Sequence, residues 1–229
     1  IFNMTPLYEV IINKNTTTKP VWIMRQAGRY LPEFREIRKD NPNFIELCLN
    51  HKLSSEITLQ PIKRFNLDAA IIFSDILMLP YGLRQKVEFK KNFGPLLGNL
   101  YIKLMSKVDE IDFTEKVYPV YKAIKSVSSE MNLKNKNTIG FVGAPWTLLV
   151  YMINQQSPKK EVKKSFFTDD YLINRTLLII EKFLKIHIKN QIENGANVIQ
   201  IFDSWAGLLE ERDYPNFIYT PTLNLVNYV

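Results

Sequence analysis

Four short apolar runs, separated by long stretches of helical periodicity, constrain this chain more than any other feature. They are Val21–Met24, Ala69–Phe73, Thr138–Val142 and Asn197–Phe202. The first two lack polar alternation, as strands covered on both faces do. After the first run, Phe44, Leu47, Cys48, Leu53 and Ile57 recur at helical steps before Pro61. Ahead of the third, Val117, Val120, Tyr121, Ile124 and Met131 do the same. Ile173, Leu177, Ile180, Leu184, Ile188 and Ile192 form a continuous stripe, and Gly195 is expected to end that helix as a left-handed cap. Such repetition predicts parallel strands joined by right-handed crossovers.

Two architectures meet the pattern, a doubly wound sheet and a (β/α)8 TIM barrel. The glycine-rich phosphate loop of a dinucleotide fold is missing after the first run, where Arg25-Gln26-Ala27-Gly28-Arg29 stands instead. If the fold is a barrel, about the first four of eight β/α units are present, an open half-barrel in strand order 1-2-3-4. Residues 1–229 are then expected to be the N-terminal two-thirds of a single barrel domain whose C-terminal part is missing. Leu223–Val229 would begin the fourth crossover helix, and a segment is expected before Ile1. Open strand edges and unpacked inner faces predict that these residues alone are not a stable, active monomer.

Composition narrows the classes further. Apolar residues make up 46% and aromatics 12%, which excludes disorder of the whole chain. The single cysteine, Cys48, excludes a disulfide framework and a multi-cysteine zinc site, and points to a reducing, cytoplasmic location. The longest apolar run, Leu148–Ile153, falls far short of the roughly 20 residues of a membrane span. The start, Ile1–Ile12, carries Glu9 and lacks the basic residues of a secretory signal. The net charge of +7 invites a nucleic-acid partner, but the lysines are scattered and no recognition module accompanies them. Neither nucleic acid nor membrane is expected as a partner.

Both architectures place their sites at the C-terminal ends of strands. Arg25 and Arg29 follow the first run, with Arg35 and Arg38 close behind; Ser74 and Asp75 follow the second. Gly143-Ala144-Pro145-Trp146 follows the third, with Tyr151 a turn beyond, and Asp203-Ser204-Trp205 follows the fourth. Arginine suits bidentate capture of carboxylate or phosphate, and the small residues between Arg25 and Arg29 let a ligand approach. Structural alternatives stand beside each role. Arg25 and Arg29 could pair with Glu33 or Glu36, Asp75 could cap a short helix, Tyr151 could be core, and Ser204 could satisfy a turn. His51 and His187 lie within helical patterns and receive no catalytic role.

At these positions the chain resembles the uroporphyrinogen decarboxylase family. The segment Pro20-Val21-Trp22-Ile23-Met24-Arg25-Gln26-Ala27-Gly28-Arg29-Tyr30-Leu31-Pro32-Glu33-Phe34-Arg35-Glu36 is similar to the family's N-terminal signature. Ile72–Leu77, Gly140–Leu148 and Ile201–Gly207 match further stretches in order. The resemblance implies a (β/α)8 barrel that works without metal or organic cofactor, a homodimer when complete. Its reaction removes the carboxyl groups of four acetate side chains from uroporphyrinogen III, giving coproporphyrinogen III and carbon dioxide. Carried over by motif, Arg25 and Arg29 bind substrate carboxylates, and Gln26, Ala27 and Gly28 shape the wall between them. Arg38 is a further carboxylate partner, Asp75 sits among the pyrrole N–H groups, and Tyr151 and Ser204 contact substrate. The family's C-terminal histidine has no counterpart here. Two alternatives stay open: a truncated product that only binds porphyrinogen or a full-length partner, and a methyltransferase relative on the same barrel. Zinc-binding relatives of the latter kind need thiolate and histidine ligands, which Cys48 alone cannot supply.

Overall fold

The computed structural model describes residues 5–90, 93–130, 135–158 and 169–229. Helices α1 (Pro6–Ile11), α2 (Pro32–Asp40), α3 (Phe44–Leu49) and α4 (His51–Arg64) precede strand β1 (Ala69–Ile71). Helix α5 (Met78–Gly82) leads into β2 (Val87–Lys90) and β3 (Gly94–Leu97). Next come α6 (Ile102–Met105), α7 (Glu110–Ser128), β4 (Asn137–Gly143) and α8 (Pro145–Asn154). The chain continues through α9 (Asp170–Glu193), β5 (Val198–Phe202) and α10 (Thr220–Val226).

The main sheet has the order β1–β4–β5. β1 runs parallel to β4, with Ala69, Ala70 and Ile71 opposite Asn137, Thr138 and Ile139. The Asn197 amide donates to Thr138 O at 3.0 Å and the Ala144 amide to Phe202 O at 2.8 Å. The pairing therefore advances in one direction along both β4 and β5, as parallel strands require. β2 and β3 form a separate antiparallel hairpin.

The chain forms two compact units. The first runs to Ser74 and takes in Tyr118–Phe141 and Asn190–Gln200; the second comprises Asp75–Val117, Val142–Lys189 and Ile201–Val229. In the first, Leu31, Phe34, Leu47 and Ile57 make a core on which Ala27, Ile37, Leu53 and Phe73 rest. Helix α4 also terminates β1. Thr58 Oγ1 accepts the Phe73 amide at 2.8 Å, and Ser54 Oγ donates to Phe73 O at 2.6 Å, so these hydroxyls replace a strand neighbour. Gln191 of α9 likewise stands in for a strand neighbour within β4: its amide side chain accepts from Phe141 N at 3.0 Å and donates to Phe141 O at 3.1 Å. Gly140 leaves it room, since a Cβ there would stand 2.4 Å from Gln191 Oε1. Cys48 of α3 is wholly buried.

In the second unit Phe113 is the centre of the core. Its ring lies 5.0 Å from Phe183 and edge-on to His187 at 6.0 Å, and Gly82 passes beneath it. Gln85 ties the hairpin to α8, its Nε2 donating at 2.9 Å to both Gly98 O and Met152 O.

Three of the four expected strands form, and Val21–Met24 does not. Val21 exchanges only one pair of bonds with Asp68, and half of that pair is a side chain: the Val21 amide donates to Asp68 Oδ2 at 2.6 Å, while the Asp68 amide donates to Val21 O at 2.9 Å. The Ile23 amide then turns inward to Gln26 Oε1 at 3.1 Å. Side-chain acceptors thus take the donors that a ladder would need. The hairpin was not foreseen. Asn50 divides the helical pattern of Phe44–Ile57 in two, its Oδ1 capping α4 by accepting the Leu53 amide at 3.2 Å. The α9 stripe is buried from Ile173 to Ile188, but Ile192 is exposed. Gly195 ends the stretch with φ +107°, as expected of a left-handed cap. Met131, read as part of the preceding helical pattern, lies outside the described residues. Among the described residues no helix is long and apolar enough to cross a membrane.

Candidate functional site

The arginine turn belongs to the first unit and is built on Gln26. This side chain is buried, at 1% exposure. Its Nε2 donates to Ala69 O, the first residue of β1, at 2.9 Å, while its Oε1 holds the Ile23 amide. Its backbone amide donates to Ile23 O at 3.0 Å, and its carbonyl accepts the Tyr30 hydroxyl. Gln26 is therefore a peg that fixes the loop to the sheet. Ala27 rests on the Leu31–Phe34 cluster, and a Cβ at Gly28 would meet the Tyr30 ring at 3.6 Å. Arg35 donates to Arg29 O at 2.8 Å and closes the turn from α2.

That scaffold leaves Arg25 and Arg29 exposed. The partner considered for them, Glu33, is taken by Arg64, with oxygens 2.8 and 3.1 Å from Nε and Nη2. Among the described residues no ion pair engages either guanidinium. Two unpaired guanidinium groups four residues apart on a pegged turn are suited to polycarboxylate capture. Arg38 is differently placed: it donates to Asn41 O at the end of α2, and its guanidinium lies 5.6 Å from the centre of the Phe44 ring.

In the second unit, Asp75 begins the short loop before α5. Its Oδ1 accepts the Leu77 amide at 2.8 Å, a local Asx-type turn that directs the carboxylate; α5 itself starts at the N-cap Leu77 without a side-chain cap, so the helix-capping role raised from sequence is not found. Ile76 beside it approaches the end of β4, where only Gly143 fits: a Cβ there would come 3.1 Å from Ile76 Cβ and 2.9 Å from Leu148 Cγ.

Ser204 is exposed on the turn after β5. Tyr151 joins it there, with its ring edge-on to Trp205 at 5.9 Å and its hydroxyl 3.4 Å from Ser157 Oγ. The sequence missed what holds this turn. Thr147 Oγ1 donates to Asp203 Oδ1 at 2.6 Å and accepts the Trp205 amide at 3.1 Å. The Trp146 indole donates to Trp205 O at 2.9 Å. Burial raises the pKa of Asp203, and the Thr147 hydroxyl works against that rise. Asp203 Oδ2 and Trp205 Nε1 are buried without a hydrogen-bond partner. The available signal was a lone hydroxyl, Thr147, at the start of the apolar segment Leu148–Val150.

Within the first unit, then, Arg25, Gln26, Ala27, Gly28 and Arg29 share one turn, with Arg38 at the end of α2; within the second, Tyr151 meets the turn that carries Ser204. Among the described residues no three His, Cys, Asp or Glu side chains gather as a metal site.

The model of the family described as "Uroporphyrinogen decarboxylase (URO-D)" matches residues 3–229. A uroporphyrinogen decarboxylase of Rickettsia bellii is 44% identical over 213 residues, which cover 92% of this chain and 62% of that protein. One from Campylobacter jejuni is 40% identical over 225 residues, covering 96% of this chain and 66% of that one. The chain thus spans somewhat less than two thirds of the length of the curated relatives it matches, as the 62% shows. Among solved structures, a methyltransferase from Methanosarcina mazei is similar with a TM-score of 0.77 and 18% identity, over 98% of this chain and 66% of that one. At that identity the likeness concerns the fold. The parallel sheet with its helical crossovers is accordingly part of a (β/α)8 barrel.

Proposed function

This chain belongs to the uroporphyrinogen decarboxylase family, and from that premise we propose that the protein removes the carboxyl groups of the four acetate side chains of uroporphyrinogen III. The products are coproporphyrinogen III and carbon dioxide. The observation that carries this function is the pegged turn on which Arg25 and Arg29 stand exposed and, among the described residues, without an ion-pair partner.

The substrate is a macrocycle with eight carboxylates, and such a ligand needs fixed cations for docking. Arg25 and Arg29 bind these groups, with Arg38 as a further partner held back by its bond to Asn41. Each decarboxylation consumes one proton and replaces CH2–COO⁻ by CH3, with loss of CO2. The electrons of the breaking bond need a sink, which protonation of the attached pyrrole supplies. Asp75, directed by the Leu77 amide, accepts the pyrrole N–H groups and stabilises the cationic ring. A charge fixed before the reaction costs no reorganisation when the transition state forms. Tyr151 and Ser204 contribute substrate-contacting hydroxyls. No step requires a metal or organic cofactor, and the family resemblance supports a homodimer in the cytoplasm.

The test offers uroporphyrinogen III to two preparations: residues 1–229 alone, and the same residues extended by the carboxy-terminal segment of the Rickettsia bellii relative. Products are separated by carboxylate number. Stepwise loss of four carboxyl groups is expected. If neither preparation removes a carboxylate, the function is wrong, and binding without turnover would make the protein a porphyrinogen carrier.

A further inference from the structure

The turn after β5 is held from one side of one helix. Asp203, Ser204 and Trp205 are consecutive, and the first two residues of α8 beyond Pro145 grip both flanks. Thr147 supplies the link. It is buried within α8, where a hydroxyl needs a partner. Its proton is committed to Asp203 Oδ1 over a short 2.6 Å bond, which leaves a lone pair directed at the Trp205 amide 3.1 Å away. A carboxylate cannot donate, so the direction of this chain is set: Trp205 N–H to Thr147, and Thr147 O–H to Asp203. Trp146 then holds the carbonyl of the same residue, Trp205. Both backbone polar groups of Trp205 and the side chain of Asp203 are thus anchored in α8. Ser204 lies between these two anchored residues, and it is exposed. Tyr151, four residues after Thr147, abuts the same Trp205.

We propose that Thr147, oriented by Asp203, is a positioning residue that fixes where the Ser204 hydroxyl meets the substrate. This rests on the substrate contact assigned above to Ser204. A turn released from the clamp would still fold and still present a serine, but its hydroxyl would sample several positions. The loss would then fall mainly on substrate binding at Ser204.

A double-mutant cycle between Thr147 and Ser204 tests this in whichever preparation turns over, with KM and kcat measured for uroporphyrinogen III and thermal midpoints recorded separately. Ser204→Ala and Thr147→Val are each expected to raise KM by about 3- to 10-fold, the worth of one neutral hydrogen bond, with a smaller change in kcat. The double variant should be no worse than either single one, because each change removes the same contact. Thr147→Ser, which keeps the hydroxyl, should restore the parental KM. If Ser204→Ala leaves KM unchanged, the substrate contact itself is wrong and the inference falls with it. If Ser204→Ala raises KM while Thr147→Val does not, or the two losses multiply, the contact stands and the positioning role is overturned. Should Thr147→Val not fold, Thr147→Cys, whose thiol bonds only weakly, enters the same cycle under the same criteria.

Discussion

Gln26 and its two arginine neighbours divide structure from docking within five residues. Replacing Gln26 by Ala removes its bonds to Ala69 O and Ile23 N, and the expected cost is about 1–3 kcal/mol of unfolding free energy in a urea titration. Arg25→Ala and Arg29→Ala break no ion pair among the described residues, so they should shift stability by less than about 0.5 kcal/mol. Each should weaken substrate binding by about 10- to 100-fold, with Lys only partly restoring it. Unchanged affinity in both Ala variants would remove the docking role. Asp75→Asn keeps an acceptor for the Leu77 amide but not the charge, and kcat should drop by about 10²- to 10³-fold in a turnover assay. The residue types after the apolar runs were visible in the sequence, whether or not the run before them forms a strand, as Val21–Met24 does not. Which of them would be bound up was not visible. That Glu33 goes to Arg64, 31 positions away, and Gln26 to Ala69, 43 away, depends on neighbours that only the fold brings near.

At the scale of elements, β1 and β4 were legible as largely apolar runs that the fold buries, while β5 showed as an apolar run despite Gln200 and is only half-buried. Val21–Met24 has the same signature without the ladder, since Asp68 and Gln26 side chains intercept its amides. Here composition reports neither pairing nor the expected cover on both faces, since Val21, Ile23 and Met24 are exposed. The β2–β3 hairpin was illegible for the opposite reason: Val87–Leu97 mixes charges with Gly94-Pro95 and shows no run at all. Helix α9 illustrates a third kind of link, a side chain that substitutes for a strand. Gly140→Ala places a methyl 2.4 Å from Gln191 Oε1 and 3.1 Å from Ala196 Cβ. The variant should lose about 1–3 kcal/mol, as overpacked cores do, and the Phe141 amide should exchange its hydrogen faster than in the parent.

For the molecule as a whole, acid should be more damaging than the carboxylates alone require. His187 is buried against Phe113, and burial pushes its imidazole down to about 4. An unfolded chain takes up that proton near pH 6.5, so between about 6.5 and 4 the unfolded state binds more protons than the folded one. Its contribution is fully present above about pH 6.5 and is lost as pH falls towards 4, a change on the order of 3 kcal/mol. Denaturant titrations at pH 7 and 5 should show this decline, and His187→Leu should flatten it whatever its effect on packing. An equal decline in the variant would mean that other groups carry the acid sensitivity. The lone thiol offers a different kind of access to the same question. Cys48 is sealed in α3 at 0% exposure, and no second cysteine competes for reagent. A thiol-specific dye should therefore label the native protein only as fast as that core opens, so the molecule carries a built-in clock for its own breathing.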